Sequence, residues 1–117
     1  MARMKAQSTS RKGRAGEARA AAFLERNGYR IVARNLRGPG GEIDLVCIEG
    51  GTLVFVEVKR RDRGGYGSAL GAVDARKRRR LRETAADFAQ VAAPGARFRF
   101  DIVTIDGNRL ALHRNAF

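Results

Sequence analysis

The chain has 117 residues, enough for one compact domain with a modest core. Its 24 Lys and Arg residues outnumber 12 Asp and Glu residues, which gives a formal net charge of +12 at pH 7. The lone cysteine excludes an internal disulfide, and no apolar run approaches the ~20 residues of a membrane helix. The basic N-terminus lacks the apolar block of a secretory signal, so we expect a cytoplasmic protein without a membrane partner.

The excess of positive charge predicts a polyanionic partner, and contacts with phosphate groups are its simplest use. A general bias toward Arg in a soluble protein would also produce such a composition. Basic residues are densest in two segments, at residues 60–63 and 76–82. This clustering favours nucleic acid, DNA first, as the partner.

The N-terminal third predicts an arm and a helix. Residues 1–10 are polar, basic and aperiodic, which predicts a flexible basic arm ahead of one folded domain over residues 11–117. The pattern from about Arg11 to Asn27 is helical, and Gly28 provides a stop. Glu17 lies on the apolar, inward face near the start of this helix. It is either part of an acidic cluster or a first-turn glutamate that complements the helix dipole.

Three strand patterns follow, at Tyr29–Leu36, Glu42–Ile48 and Thr52–Lys59. The second and third are apolar enough to be central strands. The Gly50–Gly51 pair between them indicates a hairpin. With an even-numbered loop centred on that pair, paired positions sum to 101.

This register places Asp44 opposite Glu57 and Glu42 opposite Lys59, with all four side chains on one face. Two carboxylates across an antiparallel pair repel each other, and charges within core strands are costly unless they are paired or bind a metal. A divalent cation between Asp44 and Glu57 would reverse that penalty. Glu42 is an additional acid that could pair with Lys59.

The segment after Lys59 is rich in Gly and Arg and is followed by a second helix, predicted from about Asp74 to Ala92. The Gly-Arg segment is either a solvated connector or a loop that closes over a phosphate backbone, with Tyr66 stacking on a base. On the helix, Lys77 lies one turn before Leu81 and should point toward the sheet. The predicted nucleic-acid contacts are Arg60, Arg61, Arg63, Tyr66, Arg76, Lys77, Arg78 and Arg80.

Two strands close the chain, at Arg97–Ile105 and Arg109–Arg114. A strand, a helix and a further strand form a βαβ unit, which implies parallel pairing and a right-handed crossover. We therefore expect an α/β fold in which one mixed sheet carries a helix on each face.

The acidic cluster and its lysine suit metal-assisted cleavage of phosphodiesters. Asp44, Glu57 and the carbonyl of Val58 would hold Mg²⁺ or Mn²⁺, which prefer oxygen ligands. Lys59 could orient the attacking water or stabilise developing negative charge, and Glu17 could be a further ligand or an outer partner. The lone Cys47 is interpreted as a small buried hydrophobic residue and the lone His113 as a partly buried strand residue, so a Cys/His zinc site or a Ser-His-Asp triad is not expected.

Asp44 followed by Glu57-Val58-Lys59 resembles the D…(D/E)xK signature of the restriction-endonuclease-like superfamily, whose αβββαβ core matches the predicted element order. More narrowly, the chain resembles the YraN-like family of uncharacterised bacterial proteins, which is grouped with archaeal Holliday-junction resolvases. The motifs that carry this likeness are GRAGEARAAAFLERNGY, GEIDLV, VFVEVKRR, the helix containing Lys77, RFDIV and the terminal NAF. The resemblance implies that Glu17, Asp44, Glu57 and Lys59 occupy resolvase-type active-site positions.

Three functions remain open at this point. The first is a Mg²⁺- or Mn²⁺-dependent endonuclease acting on branched or otherwise structured DNA, for which the resemblance to resolvases leaves a homodimer open. The second is a nucleic-acid-binding module that keeps the nuclease fold without turnover. The third is a scaffold role within a larger complex.

Overall fold

The computed structural model describes residues 5–6, 11–38, 40–60 and 75–117. These residues form two helices and six strands, in the following order: β1 (Lys5–Ala6), α1 (Arg11–Arg26), β2 (Arg30–Gly38), β3 (Gly41–Glu49), β4 (Thr52–Arg60), α2 (Ala75–Ala92), β5 (Phe98–Asp106) and β6 (Arg109–His113).

The strands form one sheet in which each strand lies beside its neighbour in sequence, from β1 to β6. Every pairing among the described residues is antiparallel except that of β4 with β5, between which α2 provides the crossover. This confirms the α/β class and the mixed sheet, and it is compatible with the predicted αβββαβ core. The two-residue strand β1 pairs with Leu36 and Arg37 of β2.

The core is divided between the two faces of the sheet, with α1 on one face and α2 on the other. Alternate residues of β3 and β4 enter different clusters: Cys47 and Val54 pack with α1, whereas Val46 and Phe55 pack with α2. Side chains alternate along a strand, so a central strand covered on both faces must be apolar at both odd- and even-numbered positions. This explains why these two segments are almost continuously apolar. Cys47 is fully buried, as predicted.

The register of the central hairpin is also confirmed. Leu45 pairs with Val56 and Glu49 pairs with Thr52, so paired positions sum to 101 around the Gly50–Gly51 turn. Gly50 has a φ of 65°, a conformation that glycine adopts without steric cost.

The turn between β2 and β3 fixes the position of α2. The Gly40 amide donates a hydrogen bond to Oγ1 of the buried Thr84, at 2.8 Å. A Cβ atom on Gly40 would lie 1.7 Å from the carbonyl oxygen of Arg80. Only glycine therefore permits this approach of the turn to the helix.

Some of the predicted nucleic-acid contacts and most of the predicted N-terminal arm cannot be compared with the structure. Arg61, Arg63 and Tyr66 lie outside the described residues, as does most of the proposed arm. Within the described ranges, no helix is long and apolar enough to cross a membrane.

Candidate active site

Asp44 lies where the β3–β4 ladder ends. The last paired residues of that ladder are Leu45 and Val56. Beyond them the Val58 amide donates a hydrogen bond to Oδ2 of Asp44, at 2.8 Å. The Asp44 carboxylate thus satisfies a main-chain donor of β4 at this end of the hairpin, which holds the side chain against that strand.

The electrostatic environment of Asp44 is unfavourable for a carboxylate. Its pKa is raised to about 7, first by burial and then by the negative charge of Glu57, with a smaller contribution from Glu42. The hydrogen bond from Val58 acts in the opposite direction. Adjacent carboxylates that raise each other's pKa are typical of functional sites, where a bound cation removes the repulsion.

Glu57 and Lys77 connect the sheet to α2. Glu57 is only 5% exposed, and the Nζ atom of Lys77 lies 3.5 Å from its Oε2 atom. The prediction that Lys77 points toward the sheet is therefore correct. Its ammonium group contacts the acidic site, and the predicted phosphate contact of Lys77 stays a prediction.

Lys59 is the second ammonium group of this site. Its pKa is lowered, mainly by burial and also by the positive charge of Lys77, while the charge of Glu57 acts in the opposite direction. Lys59 and Glu57 are two residues apart on β4 and so share a face of the sheet. The site thus combines two lysines with the buried Glu57 and the half-buried Asp44.

Glu17 reaches the same region from α1. Its Oε1 atom accepts a hydrogen bond from Nδ2 of Asn35, at 2.7 Å. The pKa of Glu17 is raised by burial, which is the largest effect, and by the nearby charge of Asp44; the Asn35 hydrogen bond lowers it. This supports the interpretation of Glu17 as a member of the acidic cluster.

Asn35 is a site residue that sequence reasoning did not identify. It is 8% exposed and has a φ of 51° inside β2, where the left-handed conformation is uncommon for a residue with a side chain. Asparagine tolerates this conformation better than most residues. The feature of the sequence that could have indicated Asn35 is its polar side chain at a position where the alternation of β2 calls for an apolar one.

Glu42 and Lys59, predicted to face each other, lie beyond the last β3–β4 pair. Among the described residues, Oε2 of Glu42 is the one buried side-chain oxygen or nitrogen without a hydrogen-bond partner. Glu42 instead lines a polar cavity beside α2.

The fit of a metal ion can be judged from these side chains. Within the described ranges, no three or more His, Cys, Asp and Glu side chains are arranged to hold a metal. Asp44 and Glu57 nevertheless fit a hard cation, because they are a half-buried and a buried carboxylate whose mutual repulsion a cation would relieve. These two side chains would supply two ligands rather than a complete shell.

The predicted nucleic-acid contacts on α2 belong to the helix that reaches the acidic site through Lys77. Arg76, Lys77, Arg78 and Arg80 occupy its first two turns, and the Arg78 guanidinium lies 5.7 Å from the ring centre of Phe117. Arg60 ends β4, and its guanidinium lies near Gly16 of α1. Arg60 therefore packs beside the first helix.

The opposite face carries a second polar cluster that the sequence did not predict. Asp101 is fully buried and accepts hydrogen bonds from the Tyr29 hydroxyl at 2.6 Å and from Arg99 at 2.9 Å. Arg99 also bonds Glu49, and the Asn115 amide bonds Asp101. Because both carboxylate oxygens are satisfied, we assign this cluster a structural role. His113 likewise lies in a strand and contacts Thr104, at 3.1 Å.

The fold and the acidic site together define an α/β protein with an αβββαβ-compatible core and a buried carboxylate–lysine cluster. Residues 16–105 match the sequence model of a family described as "Uncharacterised protein family UPF0102". The chain belongs to this family, which is the YraN family.

Relatives named "UPF0102 protein" match over most of the chain. That of Dechloromonas aromatica is 48% identical over 109 residues, covering 93% of this chain and 90% of the relative. That of Symbiobacterium thermophilum is 48% identical over 113 residues, covering 92% and 96%. That of Halorhodospira halophila is 46% identical over 106 residues, covering 91% and 86%.

Proposed function

We propose that this protein is a Mg²⁺- or Mn²⁺-dependent endonuclease that hydrolyses phosphodiester bonds in branched or otherwise structured DNA. The observation that carries the proposal is the placement of Asp44 against β4 beside the buried Glu57. In metal-free protein this arrangement costs stability, since burial and like charge both raise the pKa of Asp44. A divalent cation would offset that cost.

The residues that would hold the metal are Asp44, Glu57 and the main chain at Val58. The Val58 N–H group points toward Asp44. The N–H and C=O groups of one strand residue point to the same side, so the Val58 carbonyl faces the same region. When bound, the metal polarises the scissile phosphate and lowers the pKa of a water molecule.

The two lysines have separate tasks in this proposal. Lys59 is partly buried and its pKa is lowered, so it can exchange a proton with the attacking water more readily than an exposed lysine. Lys77 comes from the basic helix and faces Glu57. It neutralises the carboxylate in the absence of metal and stabilises charge on the phosphate during hydrolysis.

The test is cleavage of labelled four-way junction, flap, duplex and single-stranded DNA in Mg²⁺ or Mn²⁺. We expect cleavage of at least one structured DNA by the wild type and its loss in Asp44→Asn and Glu57→Gln. Glu25→Gln, which changes an exposed glutamate near the end of α1, is the matched control and should cleave normally. Equal cleavage by wild type and Asp44→Asn would indicate a contaminating nuclease and contradict the proposal.

The second candidate is a nucleic-acid-binding module without turnover. The Lys77–Glu57 ion pair favours it, because a lysine at 3.5 Å already compensates one of the two carboxylates. This candidate requires DNA binding in EDTA that weakens steeply with salt, together with no cleavage in any metal. Salt-insensitive binding would contradict it.

A further inference from the structure

A polar cavity of about 470 Å³ lies beside the acidic site, between the β2–β3 turn and α2. It is of the size that binds small molecules in proteins. Its lining residues are Arg37, Gly38, Gly40, Gly41, Glu42, Arg80 and Glu83. The three glycines present main chain rather than side chains to the cavity.

The charged groups of this cavity come from three elements and are not joined by salt bridges in the described part of the chain. Arg37 and Glu42 belong to the paired ends of β2 and β3, and Arg80 and Glu83 belong to α2. Within the described part of the chain, none of these four residues forms a salt bridge. Two guanidinium groups and two carboxylates therefore line the cavity without an internal ion pair.

The cavity adjoins the proposed catalytic site through Glu42. Glu42 lines the cavity, and its charge contributes to the raised pKa of Asp44. It lies two residues before Asp44 on β3. A group bound in the cavity would thus be close to a phosphate held at Asp44 and Glu57.

We propose that this cavity binds a single unpaired nucleotide of the DNA substrate, a proposal that rests on the nuclease function above. Arg37 and Arg80 bind the phosphate, because guanidinium groups match phosphate geometry. Glu42 and Glu83 accept hydrogen bonds from amino groups on the edge of the base. A cavity for phosphate alone has no use for carboxylates, and a paired base cannot enter a concave cavity.

The test is metal-free binding of three duplexes of the same length in EDTA. One duplex carries a single unpaired cytosine, the second an abasic nucleotide at that position, and the third is fully paired. We expect the wild type to bind the unpaired cytosine about tenfold more tightly than the paired duplex, with the abasic duplex between them.

The variants separate the cavity from general charge. Arg37→Gln and Arg80→Gln should remove most of the preference for the unpaired nucleotide, and Glu83→Gln should bring the unpaired cytosine and the abasic nucleotide to similar affinity. Arg30→Gln removes the same charge at the far end of β2 and should weaken all three complexes alike.

Equal affinity of the wild type for the three duplexes would overturn the cavity assignment and leave the nuclease proposal standing. Equal effects of Arg80→Gln and Arg30→Gln on the preference would also overturn the assignment. A preserved preference without cleavage in any metal would overturn the nuclease proposal alone. Absence of DNA binding in EDTA would overturn the cavity assignment, and the cleavage assay in Mg²⁺ or Mn²⁺ would still decide the nuclease proposal.

Discussion

Asp44 combines a structural task with an electrostatic penalty. Its Oδ2 atom satisfies the Val58 amide, whereas burial and Glu57 disfavour its charge. Stability of the metal-free protein favours an uncharged side chain at this position, whereas the proposed function requires a carboxylate. Such a conflict is common at active sites.

Asp44→Asn should stabilise the metal-free protein at pH 8. The folded-state pKa of Asp44, about 7, lies above its ordinary value of 3.8, so ionisation of Asp44 lowers the free energy of unfolding as pH rises through that interval. Asparagine keeps an oxygen for the Val58 amide and removes the charge. We expect a gain on the order of 2 kcal/mol at pH 8 that vanishes near pH 4, measured by urea unfolding in EDTA.

Glu25→Gln serves as the control for that measurement and should change stability little at either pH, because Glu25 is exposed. An Asp44→Asn protein less stable than the wild type at pH 8 would show that the carboxylate is stabilising, which contradicts the electrostatic argument.

Lys77→Gln should bind Mn²⁺ more tightly than the wild type, by roughly threefold to tenfold. The Lys77 ammonium lies 3.5 Å from Glu57 and so competes with a cation for that carboxylate. Calorimetric titration measures the change, with Arg79→Gln, an exposed position on the same helix, as the charge-matched control. Weaker Mn²⁺ binding by Lys77→Gln would show that Lys77 supports the metal site.

At the scale of single residues, the sequence identified the charged side chains that lie inside apolar strand segments. Asp44, Glu57 and Lys59 were identifiable because ionised groups in core strands need a compensating partner. The Asn35–Glu17 hydrogen bond and the Lys77–Glu57 ion pair join residues 18 and 20 positions apart. Such contacts depend on how helices are placed over the sheet, which no local pattern specifies.

At the scale of the elements, the β2–β3 turn packs so closely against α2 that no side chain fits at Gly40. The Gly40 amide bonds Thr84, and a Cβ atom on Gly40 would overlap the main chain of Arg80. This contact also forms one wall of the cavity beside the acidic site.

Gly40→Ala should therefore destabilise the protein by more than about 2 kcal/mol, because the helix backbone must move away from the turn. Gly51→Ala is the matched control: an added Cβ at Gly51 meets nothing within 4 Å, so its effect should be small. Thermal unfolding of both variants measures the difference. Similar stability of the two would contradict the close approach.

The bounds of the elements followed closely from the sequence. Gly28, with a φ of 90°, ends α1 after Arg26, and the Gly50–Gly51 turn sets the hairpin register. The sequence Arg37-Gly38-Pro39-Gly40-Gly41 is typical of a turn and indicates nothing more. Gly40 of this turn lies against α2. Turn propensities describe local conformation and cannot predict such a tertiary contact.

Across the whole molecule, the two faces of the sheet have different polar clusters. The α2 side holds Glu57 and Lys77, and the α1 side holds Tyr29, Arg99 and the fully buried Asp101. The alternating pattern of β5 predicted a strand, but it did not reveal that Asp101 would meet Tyr29, 72 residues away.

Tyr29→Phe should destabilise the protein by about 1–3 kcal/mol, since Asp101 loses a 2.6 Å hydrogen bond in a buried position. Mn²⁺ affinity should not change, because the metal candidates lie elsewhere on the sheet. Urea unfolding and calorimetry test the two expectations. A loss of Mn²⁺ affinity without a loss of stability would contradict the structural role assigned to this cluster.

The parallel pairing of β4 with β5 has a consequence for the order of folding. The antiparallel strands β2, β3 and β4 are joined by short turns, so their loop-closure entropy is small, whereas β5 must wait for a long crossover that contains α2. The hairpin that carries Asp44 and Glu57 can therefore form while both carboxylates are still hydrated. Docking of α2 then brings the Lys77 ammonium to within 3.5 Å of Glu57, so a second ammonium group joins Lys59 at the acidic site when the helix packs.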